Sequence, residues 1–141
     1  MEEIVNFDEK MAYEELEKGY NKAEKILGDN NKIEKFLLKL EKKLKVIPVA
    51  GEKLAIVPTM ILLIRSYIKK EYTDIPLGSI IAIISALSYF LSPIDLIPDT
   101  IPIIGYLDDL AVLAACLKLV ESDIEEYIKW RENNKMNENQ N

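Results

Sequence analysis

The stretch Tyr89-Phe-Leu-Ser-Pro-Ile-Asp-Leu-Ile-Pro-Asp99, continued by Thr100-Ile-Pro-Ile-Ile-Gly-Tyr-Leu-Asp-Asp109, decides how the chain is read. It sets Asp95, Asp99, Asp108 and Asp109, together with Pro93, Pro98 and Pro102, in the most apolar part of the sequence. The twenty residues from Ile75 to Ile94 carry no formal charge. Proline disfavours the helical region for the residue before it, so a helix opening at Pro76 as its first residue is expected to stop near Ser92. A second apolar helix is expected over about 106–120, after Gly105. Two apolar helices joined by a Pro/Asp-rich turn give the fold class: all-α, a small bundle of five to six helices.

The pattern continues outward on both sides. Residues 8–27 read as an amphipathic helix with Asp8 as N-cap. Tyr13, Leu16, Tyr20, Ala23 and Leu27 lie on one stripe, Glu14 and Lys18 form an i,i+4 pair, and Gly28 stands at the end. Residues 31–45 carry a second stripe, Ile33, Phe36, Leu37, Leu40 and Leu44, so the two form a helical hairpin. Pro48 and Gly51 mark a break, and a third helix over about 52–70 is apolar nearly all round, with Pro58 as a kink or as the true first turn. A last helix, 122–131, begins with Ser122 and Glu125 as a capping box. The polar, Asn-rich residues 132–141 read as a disordered tail. The chain thus divides into an amphipathic hairpin serving as an interaction arm (1–46), an apolar helical domain (47–131) and the tail.

Composition excludes several function classes. The chain of 141 residues has a net charge of −6 and no basic block of the kind that binds nucleic acid. It has no histidine, hence neither the commonest general base nor the commonest transition-metal ligand. Cys116 is the single cysteine and sits in an apolar helical pattern, where it reads as a small buried hydrophobe. Glycine-rich phosphate loops, paired zinc-binding histidines and nucleophile elbows are absent from the sequence. The expectation is therefore a protein that is not an enzyme. The N-terminus lacks the basic region of a signal peptide, which suggests an intracellular start.

Twenty uncharged residues are long enough to be a candidate transmembrane helix. The prolines cut the helix proper to about 24 Å at 1.5 Å per residue, short of a hydrocarbon core of roughly 30 Å, and Gly78, Ser79, Ser85 and Ser88 dilute it. A buried core helix and a re-entrant hairpin remain as alternatives. Lys39, Lys42, Lys43 and Lys45 crowd the end of the second helix. They either complement the helix dipole there or contact anionic lipid headgroups.

The four aspartates have two readings. In the first they are caps: Ser92 with Pro93 and Asp95 has the form of a helix start, Asp99 caps a turn beginning at Thr100, and Asp108 and Asp109 occupy a first turn after Gly105. In the second they converge at one end of the bundle. Oxygen-only ligands then suit a hard divalent cation, magnesium, calcium or manganese, or Arg65 as a neutralising base. No other cofactor is expected, and the spacing is not that of an EF-hand.

Residues 86–99 and 101–109, with Ser92, Pro93, Asp95, Pro98, Asp99, Gly105, Asp108 and Asp109 at the motif positions, resemble the signature of the YkvA-like family, the domain of unknown function numbered 1232. The likeness covers about 76–119. It implies a small α-helical module associated with membranes, and no established activity or cofactor. The leading expectation is a non-enzymatic helical protein that associates with membrane lipid or a protein partner through its apolar helices, on the cytoplasmic side of a membrane. The alternative is a cytoplasmic, metal-dependent protein or hydrolase built on the aspartates. The oligomeric state stays open.

Overall fold

The computed structural model describes residues 2–46, 52–96 and 102–140, and the side chains of 10–45, 56–91 and 111–135. Among these residues it is all helix: α1 (Glu2–Lys18), α2 (Tyr20–Leu27), α3 (Asn30–Val46), α4 (Glu52–Ile68), α5 (Leu77–Leu96) and α6 (Pro102–Gln140). The bundle is built around α5. Every residue from Ile80 to Leu87 is buried, so no side of the helix is left for solvent. Each fully buried Ile or Leu of this kind is worth about 1.5–3 kcal/mol over exposure, which is why an uncharged stretch takes the centre. α6 is its principal neighbour, and α1, α2, α3 and α4 also pack against it. Ser79, near the start of α5, hydrogen-bonds Asp123, late in α6. The two helices therefore run antiparallel, as the Pro/Asp-rich connection requires.

The expected 8–27 helix is two helices. The first begins at Glu2, so Asp8 is interior to it and not at the N-cap position. It breaks at Gly19, where backbone rather than side chain faces Ser85 of α5. A Cβ on residue 19 would stand 2.2 Å from Ser85 Oγ, so close an approach admits only glycine. Lys18 pairs at 3.0 Å with Glu15, three residues back, and not with Glu14. Gly28 follows α2 with a right-handed φ of −74°, and Asp29 caps α3 by accepting from the N–H groups of Asn31 at 2.9 Å and Lys32 at 3.2 Å. Ala12, Leu16, Ala23, Ile33, Leu37 and Leu40 belong to the same core as α4–α6. The stripes expected on a separate arm are thus turned inward.

Pro58 lies inside α4, six positions from its first residue, so of its two expected roles the first-turn one falls away. Two further boundaries differ from expectation. α5 passes through Pro93 to Leu96 instead of stopping at Ser92, so Ser92 and Pro93 do not open a helix. Tertiary packing overrides the local preference there, and the preceding turn of α5 is held by the bond from Lys43 to the Phe90 carbonyl. The two expected helices over 106–120 and 122–131 are one. Val112, Leu113, Cys116, Val120, Ile124 and Tyr127 are buried at unbroken spacings of three and four, so the stripe crosses Ser122 without a phase change and the capping box is unused. After Gly105 the sequence has no Gly or Pro, and α6 runs on to Gln140 through the expected tail, exposed over 132–135.

Candidate functional site

The motif begins where α5 leaves the described core. Its last described residues are tied down by two charged side chains from different helices. Tyr89 donates its hydroxyl to Glu15 of α1. This bond and the neighbouring Lys18 hold the Glu15 carboxyl below its ordinary value, against a smaller opposing effect of burial. From the other side, Lys43 of α3 donates to the Phe90 carbonyl and lies 4.4 Å from the centroid of the Phe90 ring, a cation–π distance. One member of the expected lipid-facing lysine group is therefore turned onto the protein. Lys39, Lys42 and Lys45 remain exposed.

The polar residues in the apolar helix are satisfied within the protein. Ser85, with no solvent exposure, donates to the Leu16 carbonyl at 2.7 Å. Ser88 bonds the Ile84 carbonyl one turn back at 2.9 Å. Ser79 donates to Asp123 at 2.6 Å. A hydroxyl without a partner in a low-dielectric interior is costly; the Ser85 and Ser79 bonds fix α5 against α1 and α6, while that of Ser88 stays within α5.

The far end of the hairpin is aromatic. Tyr72 packs against Tyr127 and Trp130 with ring centroids 5.1 and 5.0 Å away, and the Tyr127 hydroxyl bonds Ser66 of α4 at 2.8 Å. The α4–α5 connection starts with a left-handed residue, Lys70, at φ 62°. Hydrogen bonds from Glu71 N–H to Ser66 O and from Lys70 N–H to Tyr67 O complete a Schellman cap.

Asp99 and Pro98 lie outside the described residues, as do the side chains of Ser92, Pro93, Asp95, Gly105, Asp108 and Asp109. The backbone places Asp95 in the last turn of α5, and Asp108 and Asp109 beyond the first turn of α6, which opens at Pro102 rather than after Gly105. The first-turn role expected for that pair is thereby corrected. Arg65 does not face the motif. Its Nε donates to Glu41 at 3.2 Å, its second amino nitrogen also reaches Glu41, and the first lies 3.5 Å from Glu34. Both acids come from α3, and Glu41 chiefly raises the Arg65 pKa. Among the described residues no three Asp, Glu or Cys side chains gather closely enough to hold a metal ion. Cys116 is fully buried, and burial pushes its thiol up to about 12, as expected of a packing residue.

The hairpin is also where the chain resembles known proteins. The family described as "Protein of unknown function (DUF1232)" matches residues 79–115. Over these residues the chain is similar to the DUF1232 family. The DUF1232 segment takes in α5 from Ser79, the connection, and α6 as far as Ala115, inside the span of 76–119 on which the resemblance was drawn. Over 75 residues the chain is 29% identical to the "Uncharacterized membrane protein YkvA" of Bacillus subtilis (strain 168), which covers 53% of this chain and 71% of that protein. No solved structure matches. Against the membrane-protein name of that relative stands a geometric fact. Among the described residues no helix is long and apolar enough to cross a membrane, which corrects the expectation of a transmembrane helix at 75–94.

The contacts made by Glu15, Lys43 and Gly19 were not anticipated from sequence. The serines of α5 carried a usable signal, since hydroxyls at Ser79, Ser85 and Ser88 in an otherwise apolar helix need partners on neighbouring elements. Gly19, inside a helical pattern without an apparent reason, carried another.

Proposed function

We propose that the protein is a non-enzymatic helical module that attaches to a membrane surface by one end, with the region between α5 and α6 at the contact. The observation that carries this reading is the reach of Lys43 to Phe90. It brings the lysine-bearing end of α3 beside the point where the chain enters the DUF1232 motif. That motif contains Ile94, Leu96, Ile97, Ile101, Ile103 and Ile104. Apolar residues flanked by lysines have the composition of interfacial anchors, in which side chains enter the headgroup boundary while cations meet anionic lipid. The name of the Bacillus subtilis relative supports a membrane setting. Surface attachment is favoured over spanning because α5 is enclosed by protein along Ile80–Leu87. The non-enzymatic part rests on the residue inventory: no histidine, and a single thiol that burial keeps protonated.

Cell fractionation at low ionic strength tests the proposal. Recovery of the protein with the membrane pellet, and its release by a carbonate wash, is the expected result. Recovery wholly in the soluble fraction refutes it.

A further inference from the structure

Helix α3 carries six lysines and two glutamates, in a chain whose net charge is −6. The arrangement of those charges is more telling than their number. At 3.6 residues per turn, Ile33, Phe36, Leu37, Leu40 and Leu44 form the face turned to the core. Glu34 and Glu41 lie on the flank toward α4, where Arg65 holds both. Lys43 lies on the other flank, against Phe90. The outward arc is left to Lys32, Lys35, Lys39, Lys42 and Lys45, with Leu38 among them and no acid. All five lysines are exposed, and Leu38 is 51% exposed. None of the five pairs with an acidic side chain among the described residues.

Resting on the membrane reading above, we infer that the outward face of α3 docks on anionic lipid headgroups, with Leu38 entering the headgroup boundary. Arg65 is the device that makes this face uniformly positive. A glutamate three or four residues from a lysine on a free helix would pair with it, and Glu41 stands four residues before Lys45. By drawing Glu41 to the α4 side, Arg65 leaves Lys45 without that partner, and Glu34, held there too, has no lysine of the row at pairing distance. Long lysine stems can lie along an apolar surface while the ammonium groups reach the phosphates, and an exposed leucine set among them has the pattern of an interfacial helix face. The row ends in the same turns as Lys43, which reaches Phe90 of α5.

The test is flotation of the full chain with vesicles of phosphatidylcholine, with and without phosphatidylglycerol. Binding is expected only with the anionic lipid, and raised salt should weaken it. Each surface-proximal lysine contributes about fivefold in partitioning, so the K35Q/K39Q/K42Q variant should bind roughly a hundredfold more weakly. Glutamine is close to lysine in helix propensity, and an unchanged far-ultraviolet circular dichroism spectrum and melting temperature establish that the variant is folded. The K10Q/K129Q/K135Q variant makes the same change in net charge elsewhere on exposed positions and should bind within about threefold of the parent. Equal binding to both vesicle types, or equal losses in the two variants, overturns the α3 assignment and leaves membrane attachment standing. Failure to bind any vesicle overturns both. Self-association without lipid, abolished by K35Q/K39Q/K42Q, overturns the lipid assignment in favour of an acidic face on a second copy.

Discussion

Replacing Gly19 by alanine should destabilise the bundle, although its backbone conformation alone predicts the opposite. Residue 19 has φ −84° and ψ −5°, which alanine adopts without strain, and at such a position alanine gains about 0.4–1 kcal/mol over glycine by restricting the unfolded chain. Against this, the new Cβ would stand 2.2 Å from Ser85 Oγ, 3.4 Å from Ser85 Cβ and 3.5 Å from the Leu16 carbonyl oxygen. Only the first distance is impossible, so the Ser85 hydroxyl must swing away. Doing so breaks its 2.7 Å bond to Leu16 O at a site without solvent. A buried hydroxyl left unpaired costs about 1–3 kcal/mol, and forced repacking in a filled core adds about 1–3 kcal/mol. After that gain is subtracted, Gly19→Ala should cost roughly 1–5 kcal/mol. Ser85→Ala alone should cost about 0.5–1.5 kcal/mol for the lost hydrogen bond. In that background the obstructing oxygen is gone, and adding Gly19→Ala should be neutral or stabilise by up to about 1 kcal/mol. Urea denaturation of the parent, both single variants and the double variant, followed by circular dichroism, gives the coupling energy. Additivity within about 0.3–0.5 kcal/mol, or a Gly19→Ala protein more stable than the parent, refutes the close-approach argument.

Lys70→Gly should stabilise the protein by about 0.5–1 kcal/mol, because Lys70 holds the left-handed cap position at φ 62° where glycine alone is unstrained. A lowered melting temperature would contradict this. Glu15, held below its ordinary value of 4.5 by Tyr89 and Lys18, contributes stability that is fully present above that value and lost as pH falls through the lowered folded value. Its side chain is 38% exposed, so the contribution is below about 1 kcal/mol. Glu15→Gln should flatten the acid side of a plot of denaturation midpoint against pH, and an unaltered slope tells against the Tyr89 bond. Cys116, pushed up to about 12, should resist iodoacetamide at mildly alkaline pH until the chain unfolds, so rapid labelling of the native protein would show that the thiol is not enclosed.

The sequence made the helical class, the α5–α6 hairpin and the central position of the apolar stretch legible, because uncharged residues at helical spacing have few places to go. It misled at boundaries decided by tertiary contact. Pro93 reads as a stop when only its neighbours in the chain are considered, and is carried where contacts with α1 and α3 hold the preceding turn of α5. Ser122 reads as a cap, yet the buried stripe of α6 runs through it. Gly19 has no meaning in the local pattern and acquires one only from Ser85, 66 positions away. At the candidate site the lysines of α3 were visible as a group. Their division into one held inward and several pointing out depends on Phe90 and on the glutamates that Arg65 withdraws.

The chain has a single tryptophan, and it stands in the aromatic group with Tyr72 and Tyr127. That group is at the start of α5, about 21 Å along the helix from Leu91 at 1.5 Å per residue. Emission from Trp130 therefore reports whether the α4–α5 connection stays docked on α6, with no competing fluorophore of its kind. A lipid-dependent change in that signal would mean that contact at one pole is felt at the other, whereas constancy would mark the bundle as a rigid rod that is merely tethered.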